Sequence, residues 1–151
     1  MMKKWSSVDE VLDFAIGEEE GAVKFYTELA QQAANRSMRA AFEDFAREEQ
    51  GHKQKLLGVK AGKTLAPAAK AVQDLKIADY VVDIEPNPDM TYLEAIILAM
   101  KKEKAAFRLY SDLAEAAEDE NIKTLFLGLA NEEAKHKLRF EIEYDDAMTD
   151  N

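Results

Sequence analysis

The two histidines of the chain stand at the ends of two similar six-residue segments. REEQGH ends at His52 and NEEAKH ends at His136, and a glutamate precedes each histidine by three positions. On an α-helix, residues three apart lie on the same face, so a Glu-x-x-His pair can offer a carboxylate and an imidazole to one metal ion. The two segments therefore predict metal-binding chemistry, provided that the fold brings them together.

The sequence around these segments repeats with an offset of 84 residues. The matched pairs include Glu19 and Glu103, Tyr26 and Tyr110, Phe42 and Phe126, Ala46 and Ala130, Glu48 and Glu132, Glu49 and Glu133, and His52 and His136. A repeat of this length that contains two helices predicts a duplicated helical hairpin.

Apolar residues recur about every 3.6 positions, which predicts an all-α chain. Ser7 to Glu10 and Thr91 to Glu94 have the form of capping boxes, and they open the first and third helices. We expect long helices over about 7–35, 38–60, 91–118 and 121–146, followed by a polar, frayed tail.

A break in composition separates the two predicted hairpins, 7–60 and 91–146. Residues 61–90 contain Gly62 and all three prolines, and we expect a crossover there with a short helix over 68–82. The prolines are Pro67, Pro86 and Pro88. The predicted architecture is one all-α domain over 1–151, a four-helix bundle of two repeated hairpins joined by a long crossover.

Each long helix carries a glutamate inside its apolar stripe, where a core residue is expected. These are Glu19, Glu49, Glu103 and Glu133, and the histidines lie on the same stripes as the second and fourth of them. A turn near residue 35 places the first glutamate level with 49–52, and a turn near residue 119 does the same in the second hairpin. If the hairpins pack side by side, four carboxylates and two imidazoles converge.

Four buried carboxylates repel one another, and each costs several kcal/mol to remove from water. Two divalent cations would balance the four negative charges, so we predict a two-metal site. Its ligands would be Glu19, Glu49, His52, Glu103, Glu133 and His136. Imidazole with carboxylate suits Fe(II) or Mn(II), and Zn(II) also binds such ligands. The alternative is a metal-free network of Glu–His hydrogen bonds, which would leave carboxylates uncompensated.

The residues beside the predicted ligands each allow two interpretations. Tyr26 and Tyr110 follow the glutamates of the first and third helices by seven positions, so they are either core tyrosines or hydroxyl donors to those carboxylates. Glu48 and Glu132 are either partners that orient the imidazoles or surface acids, and we favour surface acids. Helical glycines lower stability by up to about 1 kcal/mol each unless close helix approach requires them. They are Gly17, Gly21, Gly51 and Gly128.

The composition of the chain argues against several classes of function. The net charge is −10 with no basic block, so nucleic-acid binding is not expected. The chain has no cysteine, which excludes disulfides and thiolate metal sites within it. No apolar run follows MMKKWSSVDE, so no signal peptide is expected, and the apolar window at 92–100 is too short to span a membrane. We expect a cytoplasmic protein.

Four segments resemble the helices of the rubrerythrin branch of the ferritin-like superfamily. They are AIGEEEGAVKFYTELA (15–30), FEDFAREEQGH (42–52), AMKKEKAAFRLY (99–110) and FLGLANEEAKH (126–136). The crossover DLKIADYVVDIEP (74–86) is also similar to that of stand-alone rubrerythrin-like proteins. The resemblance implies a ferritin-like bundle, the same six residues as iron ligands, two irons per chain, and Tyr26 and Tyr110 as catalytic tyrosines flanking the site. It also implies a homodimer.

The chain departs from the family pattern in three respects. It has no cysteine for a rubredoxin domain, so the resemblance implies a separate electron donor such as a rubredoxin-like protein. Met100 stands where rubrerythrins tend to place an extra carboxylate. Gln50 stands where bacterioferritins place a haem-binding methionine, so haem binding is not expected.

Three functions remain open from the sequence. The first is a di-iron oxidoreductase that reduces hydrogen peroxide or dioxygen. The second is a ferroxidase that feeds iron storage, which would require a large hollow shell. The third is a metal-binding sensor without turnover.

Overall fold

A computed structural model describes residues 5–33, 35–82, 84, 87 and 89–149. Its helices are α1 (Val8–Gln32), α2 (Arg36–Gly62), α3 (Ala69–Gln73), α4 (Tyr92–Ala116) and α5 (Glu120–Thr149). Short 3-10 turns occupy Ala66–Ala68 and Ile77–Asp79. The four long helices have the predicted order, and the prediction of an all-α bundle is confirmed.

Side-chain caps fix where the long helices begin. The Glu10 amide donates to Ser7 Oγ at 3.1 Å, and the Met38 amide donates to Asn35 Oδ1 at 2.8 Å. At Thr91 the predicted capping box is complete, because Thr91 and Glu94 each accept from the other's amide. These bonds satisfy amides that the first helical turn leaves without partners.

The helices pair as two antiparallel hairpins. The backbones of α1 and α2 run close together, as do those of α4 and α5, and side chains of all four helices meet in the core between the two pairs. The first hairpin turns after Gln32 and before Arg36, and the second turns after Ala116 and before Glu120. Both turns lie near the predicted residues 35 and 119, so the predicted ligands of each hairpin are at the same level along the bundle.

The apolar core consists of two clusters, one toward each end of the bundle. One contains Leu12, Leu56, Leu113 and Phe126, and the other contains Phe25, Phe42, Ile96 and Phe140. On every long helix the predicted ligand positions fall between residues of the two clusters. A charged layer is thus enclosed by apolar side chains above and below it.

Two details of the predicted elements are wrong. The crossover helix α3 covers only Ala69–Gln73 instead of 68–82, and a 3-10 turn follows it. A hydrogen bond attaches the crossover to α4 instead, because the buried Tyr80 hydroxyl donates to Asp112 Oδ2 at 2.7 Å. Helix α5 continues to Thr149 beyond the expected frayed end at 146. Pro86 and Pro88 lie outside the described residues.

The helical glycines do not serve close helix packing. A β-carbon added at Gly17, Gly21, Gly51 or Gly128 would meet no atom of another element within 4 Å. The close-approach alternative is therefore wrong, and these glycines only reduce helix stability. Among the described helices, none is long and apolar enough to cross a membrane.

Candidate metal centre

The six predicted ligands meet in the charged layer at the middle of the bundle. Each is at most 2% exposed, and together they form the set of buried charged or polar residues in the described part of the chain. One carboxylate comes from each long helix, and the imidazoles come from α2 and α5. Burial of this kind without compensation is strongly unfavourable.

The six residues form two overlapping groups of potential ligands. In each group one ligand atom per residue lies within 4.8 Å of the others. The groups are Glu19, Glu49, His52 and Glu133, and Glu49, Glu103, Glu133 and His136. Glu49 and Glu133 belong to both groups, whereas each of the other four residues belongs to one group.

The imidazoles turn their Nδ1 atoms toward the carboxylates. His52 Nδ1 lies 3.2 Å from Glu49 Oε1 and 3.1 Å from Glu133 Oε1. His136 Nδ1 lies 3.4 Å from Glu49 Oε1 and 3.7 Å from Glu103 Oε2. Both Nδ1 atoms therefore face the space between the carboxylates.

The outer nitrogen of each imidazole contacts a glutamate of the opposite hairpin. His136 Nε2 lies 2.6 Å from Glu48 Oε2, and His52 Nε2 contacts Glu132 Oε2. The side chains of Glu48 and Glu132 are 48% and 39% exposed, so each also reaches solvent. The favoured interpretation of these two residues as plain surface acids is therefore wrong. An N–H that donates from Nε2 leaves the Nδ1 lone pair for a metal ion.

The two tyrosines also bond across the hairpins. The Tyr26 hydroxyl donates to Glu103, and the Tyr110 hydroxyl donates to Glu19. Burial and the neighbouring carboxylates raise the pKa of both phenols well above their ordinary value. Both hydroxyls therefore keep their protons and act as donors, which confirms one of the two interpretations of their position.

The electrostatics of the layer show how strongly it attracts positive charge. Burial, followed by the charge of Glu103, raises the pKa of Glu49 to about 7. Burial lowers the pKa of His52, but the Glu19 and Glu49 carboxylates outweigh it and raise that pKa to about 11. Burial also lowers the pKa of His136. The Glu103 carboxylate is the main group that outweighs this effect, and the pKa of His136 rises to about 9. In the metal-free chain, protons partly take the place of cations.

The layer also contains buried polar atoms that lack hydrogen-bond partners. They are Glu19 Oε2, Glu49 Oε1, Glu103 Oε2, Glu133 Oε1 and the Nδ1 atoms of His52 and His136. Leaving one such group unpaired costs about 1–3 kcal/mol, and more when it is charged. Four oxygens and two nitrogens facing one space form a donor set that suits Fe(II), Mn(II) or Zn(II). The residues present therefore fit a metal centre.

The two positions that depart from the family patterns add no ligand. Met100 packs against the apolar cluster that contains Phe25 and Phe42, and Gln50 is exposed. No additional carboxylate at the Met100 position is available to the centre, because the side chain there is a thioether. The ligand set of the described residues remains symmetric, with the same residue types contributed by each hairpin.

Comparisons with known proteins give a family match and a similar solved structure. A sequence model of the rubrerythrin family matches residues 10–144. A crystal structure from Thermotoga maritima, provisionally described as a ferritin-like diiron-carboxylate protein, is similar with a TM-score of 0.78. The two chains are 20% identical and the match covers 97% of each, which shows a shared fold. A search of curated proteins found no match.

Proposed function

Because the chain belongs to the rubrerythrin family, we propose that it is a di-iron oxidoreductase that reduces hydrogen peroxide or dioxygen with electrons from an external donor. The observation that carries this proposal is the pair of four-residue ligand groups that share Glu49 and Glu133. Two groups that share two carboxylates support our proposal of two ions per chain. Iron is the proposed metal, and Mn or Zn could occupy the same ligands.

The chemistry requires two electrons delivered together. The six ligand residues would hold a ferrous pair, which would supply both electrons. The overall conversion is H₂O₂ with two electrons and two protons to two water molecules. The external donor then replaces the electrons, and solvent replaces the protons.

The residues of this chain prepare the site for that conversion. Glu48 and Glu132 hold the imidazoles with Nδ1 toward the centre, while Tyr26 and Tyr110 hold the carboxylates of Glu103 and Glu19. Because the tyrosines bond to proposed ligands, their proposed role is to position those ligands. The apolar clusters on both sides keep bulk water away from the layer.

Three further features rest on the family resemblance alone. We propose a homodimer, a rubredoxin-like protein as electron donor, and a cytoplasmic location. The 151 residues contain no cysteine, so a four-cysteine iron site within them cannot supply the electrons.

The test is metal analysis of anaerobically purified protein, followed by rapid mixing of the ferrous form with hydrogen peroxide or dioxygen. We expect about two irons per chain, as the two ligand groups imply, and peroxide oxidation faster than dioxygen oxidation. Continued turnover should appear when a reduced rubredoxin is added. Faster dioxygen oxidation together with a large hollow particle would move the assignment to iron storage. A single oxidation without turnover would point to sensing.

The Glu49→Ala variant tests the assignment of the metal ligands. Since Glu49 belongs to both ligand groups, its loss should remove most of the iron. Wild-type iron content in that variant would refute the assignment of the centre.

A further inference from the structure

The outward side of α5 carries an apolar stripe that consists of Leu127, Leu138 and Ile142. These side chains are 52%, 57% and 46% exposed, respectively. They are separated by eleven and four residues, which is about three turns and one turn of an α-helix, so all three lie on one side of α5. Single exposed apolar residues are common on protein surfaces, whereas several along one helix mark a candidate interaction surface.

The first hairpin provides a comparison for this stripe, because α2 corresponds to α5 in the 84-residue repeat. The α2 residues at the three equivalent positions are also exposed, but they are polar or lack a side chain: Glu43, Gln54 and Gly58. The buried ligands are the same in both helices, whereas this outward side differs. Neither the fold nor the metal centre therefore requires apolar side chains there, and a partner that covers them would explain their presence on α5.

The charges beside the stripe change sign in the middle of α5. Within 135–146 the basic residues come first and the acidic residues follow: Lys135, Lys137 and Arg139, then Glu141, Glu143, Asp145 and Asp146. Lys137 pairs with Glu141 at 2.9 Å within the helix. The remaining order is unfavourable for α5 itself, because it places like charges four residues apart and acidic residues near the negative carboxyl end of the helix dipole. The order suits a partner whose charges run in the opposite direction.

A second copy of α5, antiparallel to the first, has charges in that opposite order. When Phe140 is the midpoint of the pair, Leu138 lies opposite Ile142 of the partner subunit. In the same arrangement, Lys135 lies beside Asp146 of the partner subunit, and both positions are exposed. The twofold axis repeats each contact, as in other isologous interfaces. Apolar residues then meet apolar residues and basic residues meet acidic ones, so the outward side of α5 is complementary to itself.

We propose that the protein dimerises through antiparallel contact of α5 with α5 of a second copy, with Leu138 and Ile142 at the centre and charged pairs at the edges. The inference rests on the homodimer of the proposed function and assigns its interface. It is independent of the metal chemistry, because Glu133 and His136 lie on the buried side of α5 and the stripe lies on the exposed side.

The first experiment measures the dissociation constant of the dimer by sedimentation of the metal-loaded chain over a range of concentrations. Leu138→Glu should raise that constant about 100-fold or more, because it buries a charge twice in the interface. Leu127→Glu is the control, since Leu127 is equally exposed on the same helix but its opposite position would lie beyond Thr149, where α5 ends. The control should stay within about twofold of the wild type. Circular dichroism and iron content show that both variants are folded.

Two results of this experiment would overturn the proposal. One is a wild type that remains monomeric at roughly 1 mM. The other is a dissociation constant in Leu138→Glu equal to that of the wild type, which would refute this interface and keep the homodimer. Failure of an intact dimer to reduce peroxide would instead refute the oxidoreductase proposal and leave the interface supported.

The second experiment looks for a recovery of affinity that misfolding cannot imitate. Lys135→Glu and Asp146→Lys should each weaken dimerisation about tenfold, because each brings like charges together across the interface. The double variant exchanges the two charges and should recover most of the wild-type affinity. The two residues are eleven positions apart, roughly 16 Å along α5, so a contact within one helix cannot produce this recovery. Absence of recovery in the double variant would overturn the antiparallel arrangement.

Discussion

His136 Nε2 lies 2.6 Å from Glu48 Oε2, and these two residues belong to different hairpins. The equivalent pair, His52 and Glu132, bonds in the opposite direction across the same boundary. Tyr26 with Glu103 and Tyr110 with Glu19 repeat the exchange on the other side of the layer. Each hairpin therefore holds the metal-facing groups of the other.

Removing the partner of one imidazole should weaken metal binding. Glu48→Ala frees the His136 ring to rotate, and loss of such a partner typically lowers metal affinity by about 10–100-fold. Glu132→Ala should have a similar effect through His52. Competition with a chelator of known affinity measures the change. Glu43→Ala, which removes an exposed acid from the same helix, is the control, and equal affinity in Glu48→Ala and Glu43→Ala would show that the contact is unimportant.

The tyrosine hydroxyls should stabilise the protein by similar amounts. Tyr26→Phe or Tyr110→Phe leaves a buried carboxylate oxygen without its donor, and such a loss costs about 1–3 kcal/mol. Denaturant unfolding of the zinc-loaded protein gives the difference. Tyr144→Phe is the control, at a partly buried tyrosine that packs on the same cluster as Tyr26. A loss in only one of the two site variants would contradict the equivalence of the halves.

Metal binding should stabilise the folded chain. A ligand that binds only the native state at a free concentration 100 times its dissociation constant adds about 2.7 kcal/mol. Thermal unfolding with zinc and with a chelator measures this shift. In Glu49→Ala the shift should largely disappear, because Glu49 belongs to both ligand groups. An undiminished shift in that variant would place the zinc elsewhere.

The metal-free chain should lose stability as the pH rises from about 5 to 9. Folding raises the pKa of Glu49 from 4.5 to about 7, so its contribution is present below pH 4.5 and is lost as the pH rises through 7. Folding also raises the pKa of His136 from 6.5 to about 9, so its contribution is lost through pH 9. Urea unfolding in a chelator at pH 5, 7 and 9 tests this. Stability that is constant or increases over this range would contradict the raised pKa values.

Filling helical glycines should make the protein more stable. Gly17→Ala and Gly128→Ala add a methyl group that meets no atom of another element, so each should add about 0.5–1 kcal/mol to the free energy of unfolding. Gly62→Ala is the comparison, because Gly62 ends α2 and its added carbon would lie 3.4 Å from Thr64 Cγ2. A lower free energy of unfolding in Gly17→Ala would contradict this prediction, because the structure has no atom within 4 Å of the added carbon.

The centre was predictable because its residues break the apolar pattern of their own helices. A glutamate on a core stripe contradicts its surroundings at the sequence level, and Glu19 and Glu103 do so at matched positions. Glu48 and Glu132 gave no such signal, since each lies one position from the stripe and is partly exposed. Their contacts depend on how closely α2 approaches α5, and a single helix does not encode that distance. The hydrogen bond of Tyr80 was equally unpredictable from the sequence, because its partner Asp112 is 32 residues away on another element.

Because the hairpins exchange partners, one hairpin contains one residue of every kind that forms the centre. Residues 8–62 supply one glutamate of a single ligand group, one glutamate that both groups share, one imidazole, one phenol and the carboxylate that contacts an imidazole. Two copies of such a hairpin, related by a twofold axis, would generate both ligand groups and all four cross-bonds. Joined by a linker, they would have the symmetry of a dimer within a single polypeptide.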